Sequence, residues 1–179
     1  GSRHDAYSDI PWILALRDWI RRAHDANVKL AGICFGHQVI AQALGGEVVK
    51  STKGWGLGVS VHPMQEAKPW MQPGLETIRI LASHQDQVAQ LPPGATLLAG
   101  NDFCPNFMFL QGDHIVAIQG HPEFSVEYNR ALIERRRDRL PDEHYQSSLS
   151  SLEGEVDSAT MMQWLLQFLG MLPVGPAVR

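Results

Sequence analysis

Cys34 lies at a junction whose sequence is typical of a reactive thiol. Residues 28–33 are mostly apolar and predict a strand, and residues 36–44 predict a helix. Gly32 and Gly36 flank the cysteine two residues away on each side, which gives the G-x-C-x-G form of a nucleophile elbow. Glycines permit the tight turn, and the free N–H groups at the start of the helix favour the thiolate, the reactive form of cysteine. A buried structural cysteine is the alternative interpretation of this segment.

A second polar group of residues follows another short apolar stretch. Residues 115–118 predict a buried strand, and His121 and Glu123 come soon after it. Pro122 keeps His121 out of the helical region, and residues two apart in an extended chain point the same way, so Glu123 can orient the imidazole. A thiol, an imidazole and an orienting carboxylate form a triad for acyl transfer. Both segments end predicted parallel strands, where open α/β sheets bind ligands, so we predict that Cys34, His121 and Glu123 act together.

The order of elements predicts an α/β fold with one mixed, mostly parallel sheet flanked by helices. Several consecutive strands have no helix between them, so part of that sheet is expected to be antiparallel. Residues 141–154 are polar and serine-rich and predict a surface connection. The predicted helices are 11–27, 36–44, 127–140 and 156–169, and the predicted strands are 28–33, 47–50, 58–62, 77–82, 96–100, 107–110 and 115–119.

Length and composition restrict the class of protein. A chain of 179 residues with 44% hydrophobic residues suits one globular domain. The net charge of −4 gives no electrostatic case for nucleic-acid binding, and no apolar run is long enough to span a membrane. The two cysteines, Cys34 and Cys104, provide neither a disulfide framework nor a metal site, so we expect no cofactor and a reducing, cytoplasmic location. The basic run at 135–139 lies among acidic residues and is interpreted as a solvated helix face.

The motifs resemble those of a known family. Cys-Phe-Gly-His-Gln at 34–38, together with His-Pro-Glu at 121–123, resembles the class I (triad) glutamine amidotransferases. Ser-His-Gln-Asp at 83–86 resembles the Ser-His-x-Asp loop of that family. The resemblance covers about residues 1–130 and is nearest to stand-alone members similar to GMP synthetase, some of which are γ-glutamyl peptidases. It implies the flavodoxin-like fold of class I amidotransferases and a small γ-glutamyl amide as substrate.

The resemblance also implies a role for each residue of the site. Cys34 would be the nucleophile, His121 the general base and acid, and Glu123 the group that orients His121. The remaining implied residues are Phe35 with Ser2 or Gly1 as backbone donors to the oxyanion hole, and Gln38, Gln85 and Asp86 as substrate-binding residues.

Family members begin with further strands and a helix, so the resemblance implies one domain, residues 1–179, that is incomplete at its amino terminus. Three functions stay open. The first is a free-standing hydrolase of γ-glutamyl amides that forms a γ-glutamyl thioester; the absence of a G-x-x-x-x-G-K-[ST] nucleotide loop favours this or a subunit of a larger complex. The second is an ammonia-supplying glutaminase subunit of a synthetase complex. The third is a catalytically inactive interaction module with the same fold.

Overall fold

The computed structural model of the protein describes residues 2–175, which form a mixed α/β fold. The helices are α1 (Pro11–Asp25), α2 (Phe35–Ala43), α3 (Val126–Glu134), α4 (Asp142–Ser151) and α5 (Ser158–Phe168), with a 3-10 turn at Arg137–Arg139. The strands are β1 (Leu30–Ile33), β2 (Glu47–Lys50), β3 (Gly56–Pro63), β4 (Thr77–His84), β5 (Asp86–Gln90), β6 (Ala95–Ala99), β7 (Met108–Gln111) and β8 (Ile115–Ile118). No helix within these residues is long and apolar enough to cross a membrane.

The central sheet has four strands in the order β1-β8-β7-β6. β1 pairs with β8 in parallel, from Leu30 opposite Ile115 to Ile33 opposite Ile118, and the other two pairings are antiparallel. Within the described residues the other strands form two separate antiparallel pairs, β2 with β5 and β3 with β4. The predicted mixed sheet between helices is therefore confirmed. Within the described residues, the predictions that this sheet is mostly parallel and that all strands share it are wrong. Strand pairing depends on contacts distant in sequence, which the local apolar pattern does not contain.

β8 carries the core on both of its faces. Val116 and Ile118 pack into a cluster that includes Trp164 of α5, whereas Ile115 and Ala117 pack into a second cluster with α1 and α2. All four residues of β8 are fully buried. The carboxyl ends of β1 and β8, where the predicted site lies, are thus held by packing on both sides.

Two helical predictions are corrected by the structure. Residues 142–151 form α4 rather than an irregular connection, because Tyr145 and Leu149 pack against a cluster containing Leu57 and Leu81. The charged helix predicted at 127–140 ends at Glu134 and is followed by the 3-10 turn. The packing of α4 against β3 and β4 is a contact between segments distant in sequence, which a polar stretch does not reveal.

Candidate active site

Cys34 occupies a strained turn between β1 and α2. Its backbone has φ 53° and ψ −101°, in the half of the map that residues with a side chain rarely adopt. The Cys34 N–H donates to the Ile118 carbonyl of β8 at 2.9 Å, and its own carbonyl accepts from the Gln38 N–H at 3.1 Å. Strain of this kind costs about 1–3 kcal/mol and persists where the surrounding structure imposes it, commonly at functional sites. The predicted elbow is therefore present in the structure.

The two glycines of the elbow have different roles. A Cβ on Gly32 would meet the side chain of Ile40 and would lie 2.8 Å from the carbonyl carbon of Gly36, so a side chain there does not fit. A Cβ on Gly36 would have no neighbour within 4 Å. Gly32 therefore allows β1 to approach α2 closely, whereas a side chain at position 36 would meet no steric obstacle.

His121 is fixed by three contacts at the end of β8. Its backbone N–H donates to the Leu81 carbonyl at 2.7 Å, and its ring stacks on Phe124 with centroids 3.9 Å apart. Nδ1 donates to the Glu123 carboxylate at 2.7 Å. The His121 side chain is 4% exposed and that of Glu123 is 42% exposed. Glu123 thus sets the tautomer, which leaves Nε2 of His121 for the thiol.

The electrostatics of the site favour a charged imidazole. Burial alone would lower the pKa of His121, but hydrogen bonding and charge from Cys34 and Glu123 outweigh burial and raise it to about 9. Burial would raise the pKa of Glu123, but His121 and the backbone lower it below the ordinary value. An imidazolium beside a thiol stabilises the thiolate, so the arrangement suits nucleophilic attack by sulfur.

Gln119 belongs to the site but was not predicted from the sequence. Its amide Nε2 donates to the Cys34 sulfur at 3.7 Å, and its Oε1 accepts from Gln38 Nε2 at 3.1 Å. Gln38 Nε2 also donates to the Asp86 carbonyl at 2.8 Å, and Gln38 is only 5% exposed. The Gln38 amide protons are therefore used within the protein. The available signal for Gln119 was its position at the carboxyl end of the predicted strand 115–119, where open α/β sheets bind ligands.

A cleft of about 860 Å³ joins the predicted residues. Its lining includes Cys34, Phe35, Gln38, Gln85, Asp86, His121 and Ser2, and Glu123 reaches it through His121. Ser2 is exposed, and its hydroxyl accepts from the His4 N–H at 2.9 Å. Gly1 lies outside the described residues. The structure thus brings together the predicted residues that it describes.

One end of the cleft carries a carboxyl pair. Burial first, and then a hydrogen bond and charge from Asp5, raise the pKa of Asp86 to about 6, against an opposing effect of Lys50. The nearby Tyr7 also lines the cleft, and burial and the charges of Asp86 and Asp5 raise its pKa. Asp5, Lys50 and Tyr7 were not identified from the sequence. The neighbouring carboxyl groups of Asp86 and Asp5, together with the ammonium group of Lys50, suit a ligand that carries both a positive and a negative group.

The other candidate bases and the second thiol are poorly placed for chemistry. Burial lowers the pKa of His37 to about 3 and that of His84 to about 4, and their rings bond to the carbonyls of Asn106 and Asp86 at 2.9 and 3.2 Å. Cys104 is buried in the core, and burial raises its pKa to about 12. These groups stay neutral near pH 7, which fits roles in packing rather than in catalysis.

Comparison with known proteins gives consistent matches. A family model described as glutamine amidotransferase class-I matches residues 14–137. The chain is 41% identical over 140 residues to γ-glutamyl peptidase 4 of Arabidopsis thaliana, across 75% of this chain and 56% of the relative. It is 38% identical over 99 residues to a glutamine-hydrolysing GMP synthase subunit of Thermococcus kodakarensis, across 54% of this chain and 52% of the relative. The aligned part thus spans about half the length of each curated relative.

The fold matches a solved structure over most of the chain. A glutamine amidotransferase from Thermotoga maritima aligns with a TM-score of 0.78 and 22% identity, covering 94% of this chain and 75% of that chain. At this identity the likeness concerns the fold.

Proposed function

Because this chain belongs to the class-I glutamine amidotransferase family, we propose that it hydrolyses γ-glutamyl amides with Cys34 as the nucleophile. The observation that carries the proposal is the strained Cys34 beside a buried His121, whose Nδ1 is bonded to Glu123 at 2.7 Å. The similarity to γ-glutamyl peptidase 4 supports this substrate class.

The proposed reaction has two steps. The Cys34 thiolate attacks the γ-carbonyl carbon, and the C–N bond breaks as protonated His121 gives its proton to the leaving nitrogen. The products are a free amine and a γ-glutamyl thioester on Cys34. A water molecule then attacks the thioester and gives a proton to His121, which releases glutamate and restores the thiolate–imidazolium pair. The proton count balances without any cofactor.

During both steps a negative charge develops on the carbonyl oxygen, and hydrogen-bond donors are required to stabilise it. The backbone N–H of Phe35, the first residue of α2, is one proposed donor. The second donor is the backbone N–H of Ser2 or Gly1, and Ser2 lies at the edge of the same cleft.

The glutamyl part of the substrate is proposed to bind at the carboxyl pair. Asp86 and Asp5 attract the α-ammonium group, and Lys50 attracts the α-carboxylate. Gln38 holds the Asp86 carbonyl at 2.8 Å and so positions this end of the cleft, while Gln85 lines it. An α-linked peptide lacks a free ammonium–carboxylate pair at this distance from its scissile carbonyl. Leaving buried polar groups unpaired costs about 1–3 kcal/mol each, so we expect roughly a hundredfold preference for γ-linked substrates.

A comparison of isomers tests the proposal. The protein is incubated with γ-glutamylalanine and with α-glutamylalanine, and glutamate release gives kcat/KM for each. A preference of about a hundredfold for the γ isomer is expected. Equal rates would indicate a general cysteine peptidase, and no release from either would refute the proposed hydrolysis.

A second candidate is an ammonia-supplying glutaminase subunit, which is favoured by the similarity to the GMP synthase subunit of Thermococcus kodakarensis. Such a subunit would hydrolyse glutamine in preference to other γ-glutamyl amides, and a synthetase partner would stimulate it. An inactive interaction module is distinguished by a glutamine-like diazo-ketone, which labels Cys34 in an enzyme but not in a binding module. A catalytic thiol must stay reduced to react, so we propose that the protein works in the cytoplasm.

A further inference from the structure

Three arginines line the cleft that contains Cys34. They are Arg135, Arg136 and Arg139, at the end of α3 and in the 3-10 turn. None of them takes part in an ion pair within residues 2–175. Their neighbour Arg137 differs, because it pairs with Asp142 at 3.0 Å and lies over the Tyr145 ring at 4.4 Å. The prediction of a solvated basic face is confirmed for Arg135 and Arg139, which are exposed, but is wrong for Arg136, which is half-buried.

Arg136 is held in place within the cleft wall. Its guanidinium lies 4.4 Å from the centroid of the Trp55 ring, and it donates to the Leu132 carbonyl at 2.7 Å. Burial first, and then the charges of Arg135 and Arg139, lower its pKa below the ordinary value. The three positive groups are thus close enough to repel one another, and none of them forms an ion pair with a carboxylate among the described residues. An anionic ligand relieves that repulsion.

The arginines lie on the side of the cleft where the leaving group of the substrate is expected. The His121 ring stacks on Phe124 at 3.9 Å, and Phe124 meets Tyr128 edge-on at 4.7 Å. Tyr128 lies near enough to Arg136 to oppose the lowering of the Arg136 pKa. His121 gives its proton to the leaving nitrogen, so the leaving group lies on the His121 side of the scissile bond. The rings of Phe124 and Tyr128 extend from His121 toward the arginines. The carboxyl pair of Asp86 and Asp5 is the proposed site for the glutamyl half of the substrate.

We propose that Arg135, Arg136 and Arg139 form an anion-binding subsite for the leaving group, so that the amine released is an amino acid or short peptide with a free carboxylate. This inference rests on the proposed γ-glutamyl hydrolysis and specifies its substrate class. The cleft volume of about 860 Å³ lies in the range of roughly 300–1,000 Å³ that is common for larger ligands. Glutamine releases ammonia, which has no group to place against the arginines, and is therefore expected to be a poorer substrate.

Matched substrates that differ only in the terminal charge test the subsite. One pair is γ-glutamylglycine and γ-glutamylglycinamide, and a longer pair is glutathione and its glycinamide form. We expect kcat/KM to favour the carboxylate member of at least one pair by about tenfold or more, as charge-assisted hydrogen bonds are stronger than neutral ones. The preference is expected to weaken as salt concentration rises, because the arginines are partly exposed. Whichever substrate pair shows this preference indicates how long the leaving group is.

Two variants connect the preference to the arginines. In the double variant Arg135→Gln and Arg139→Gln, the ratio of kcat/KM between the paired substrates is expected to fall toward one. Arg137→Gln is the matched control, since this arginine lies on the same segment but outside the cleft lining, and it should retain the parental ratio.

Failure of the subsite and failure of the hydrolysis give different results. If the protein cleaves both members of each pair equally, the subsite proposal is overturned while the hydrolase proposal stands. If it cleaves none of them, the hydrolase proposal fails, and the subsite is judged by titration calorimetry of the same pairs on Cys34→Ala. Tighter binding of the carboxylate member, lost in the double arginine variant, supports the subsite, and equal dissociation constants overturn it.

Discussion

Replacing Glu123 with Gln removes the negative charge next to His121 but retains a side chain that can accept its hydrogen bond. In the parent protein Nδ1 of His121 donates to Glu123 at 2.7 Å, and the pKa of His121 is raised to about 9 by Cys34 and Glu123. Loss of the charge should lower that pKa. Because protonated His121 is the proposed acid for the leaving nitrogen, the alkaline limb of the pH–rate profile should move to lower pH.

The expected size follows from the contacts of His121. The difference between the ordinary value of 6.5 and about 9 corresponds to about 3 kcal/mol. Cys34 and Glu123 both contribute to this stabilisation of protonated His121. Because the Glu123 side chain is 42% exposed, solvent screens its charge, and we assign about 1 kcal/mol to Glu123. We therefore expect Glu123→Gln to lower kcat/KM by about tenfold and to move the alkaline limb by about one pH unit. His121→Ala removes the base itself and should cost about a hundredfold or more.

The assay is glutamate release from a γ-glutamyl amide, measured from pH 5 to pH 10 for each variant. Glu127→Gln is the matched control, because Glu127 is an exposed carboxylate in the first turn of α3 and lies outside the cleft lining. If Glu123→Gln and His121→Ala lose equal activity with folding intact, Glu123 has another role, and contact with the substrate is the first to test. An unmoved alkaline limb would refute the electrostatic reasoning.

Three further predictions concern stability and labelling. Gly32→Ala should lower the free energy of unfolding by about 1–3 kcal/mol in urea, because its Cβ would meet the Gly36 backbone at 2.8 Å, whereas Gly36→Ala, with nothing within 4 Å, should cost less than 1 kcal/mol. The pKa of His121 is about 9 in the folded state and 6.5 ordinarily, so its stabilising effect is complete below pH 6.5 and is lost toward pH 9. Tm should therefore fall between pH 6.5 and pH 9. An equal fall in Tm for the variant His121→Gln would contradict the assignment of this effect to His121. Iodoacetamide should label Cys34 and spare Cys104, which is 1% exposed with a pKa of about 12; equal labelling of both would refute this.

The parts of the site that were predictable from sequence depend on local spacing. Gly32 and Gly36 around the cysteine predicted the elbow, and the structure has Cys34 at φ 53°. The expected contact between His121 and Glu123 is present, but the extended backbone from which it was predicted is not, because residues 121–124 form a turn in which the Phe124 N–H donates to the His121 carbonyl at 3.3 Å. Such features depend on backbone geometry over a few residues, which sequence patterns describe well.

The parts that were not predictable depend on which elements pack together. Asp5 meets Asp86 although the two are far apart in sequence, and neither segment alone indicates a carboxyl pair. The arginines at 135–139 have a polar, helix-like pattern, and only the position of α3 beside the cleft separates Arg136 from Arg137. The pairing of β2 with β5, which skips the two strands between them in the sequence, is another long-range feature of this kind.

The most direct test is detection of the γ-glutamyl thioester. The protein is mixed with a γ-glutamyl amide, quenched in acid within the first turnovers, and analysed by intact mass and by peptide mapping, in parallel with Cys34→Ala. The proposed mechanism predicts a gain of one γ-glutamyl group on Cys34 that disappears as glutamate is released, and neither adduct nor release in Cys34→Ala. Glutamate release by Cys34→Ala within about tenfold of the parent protein, or an adduct on another residue, would contradict Cys34 as the nucleophile.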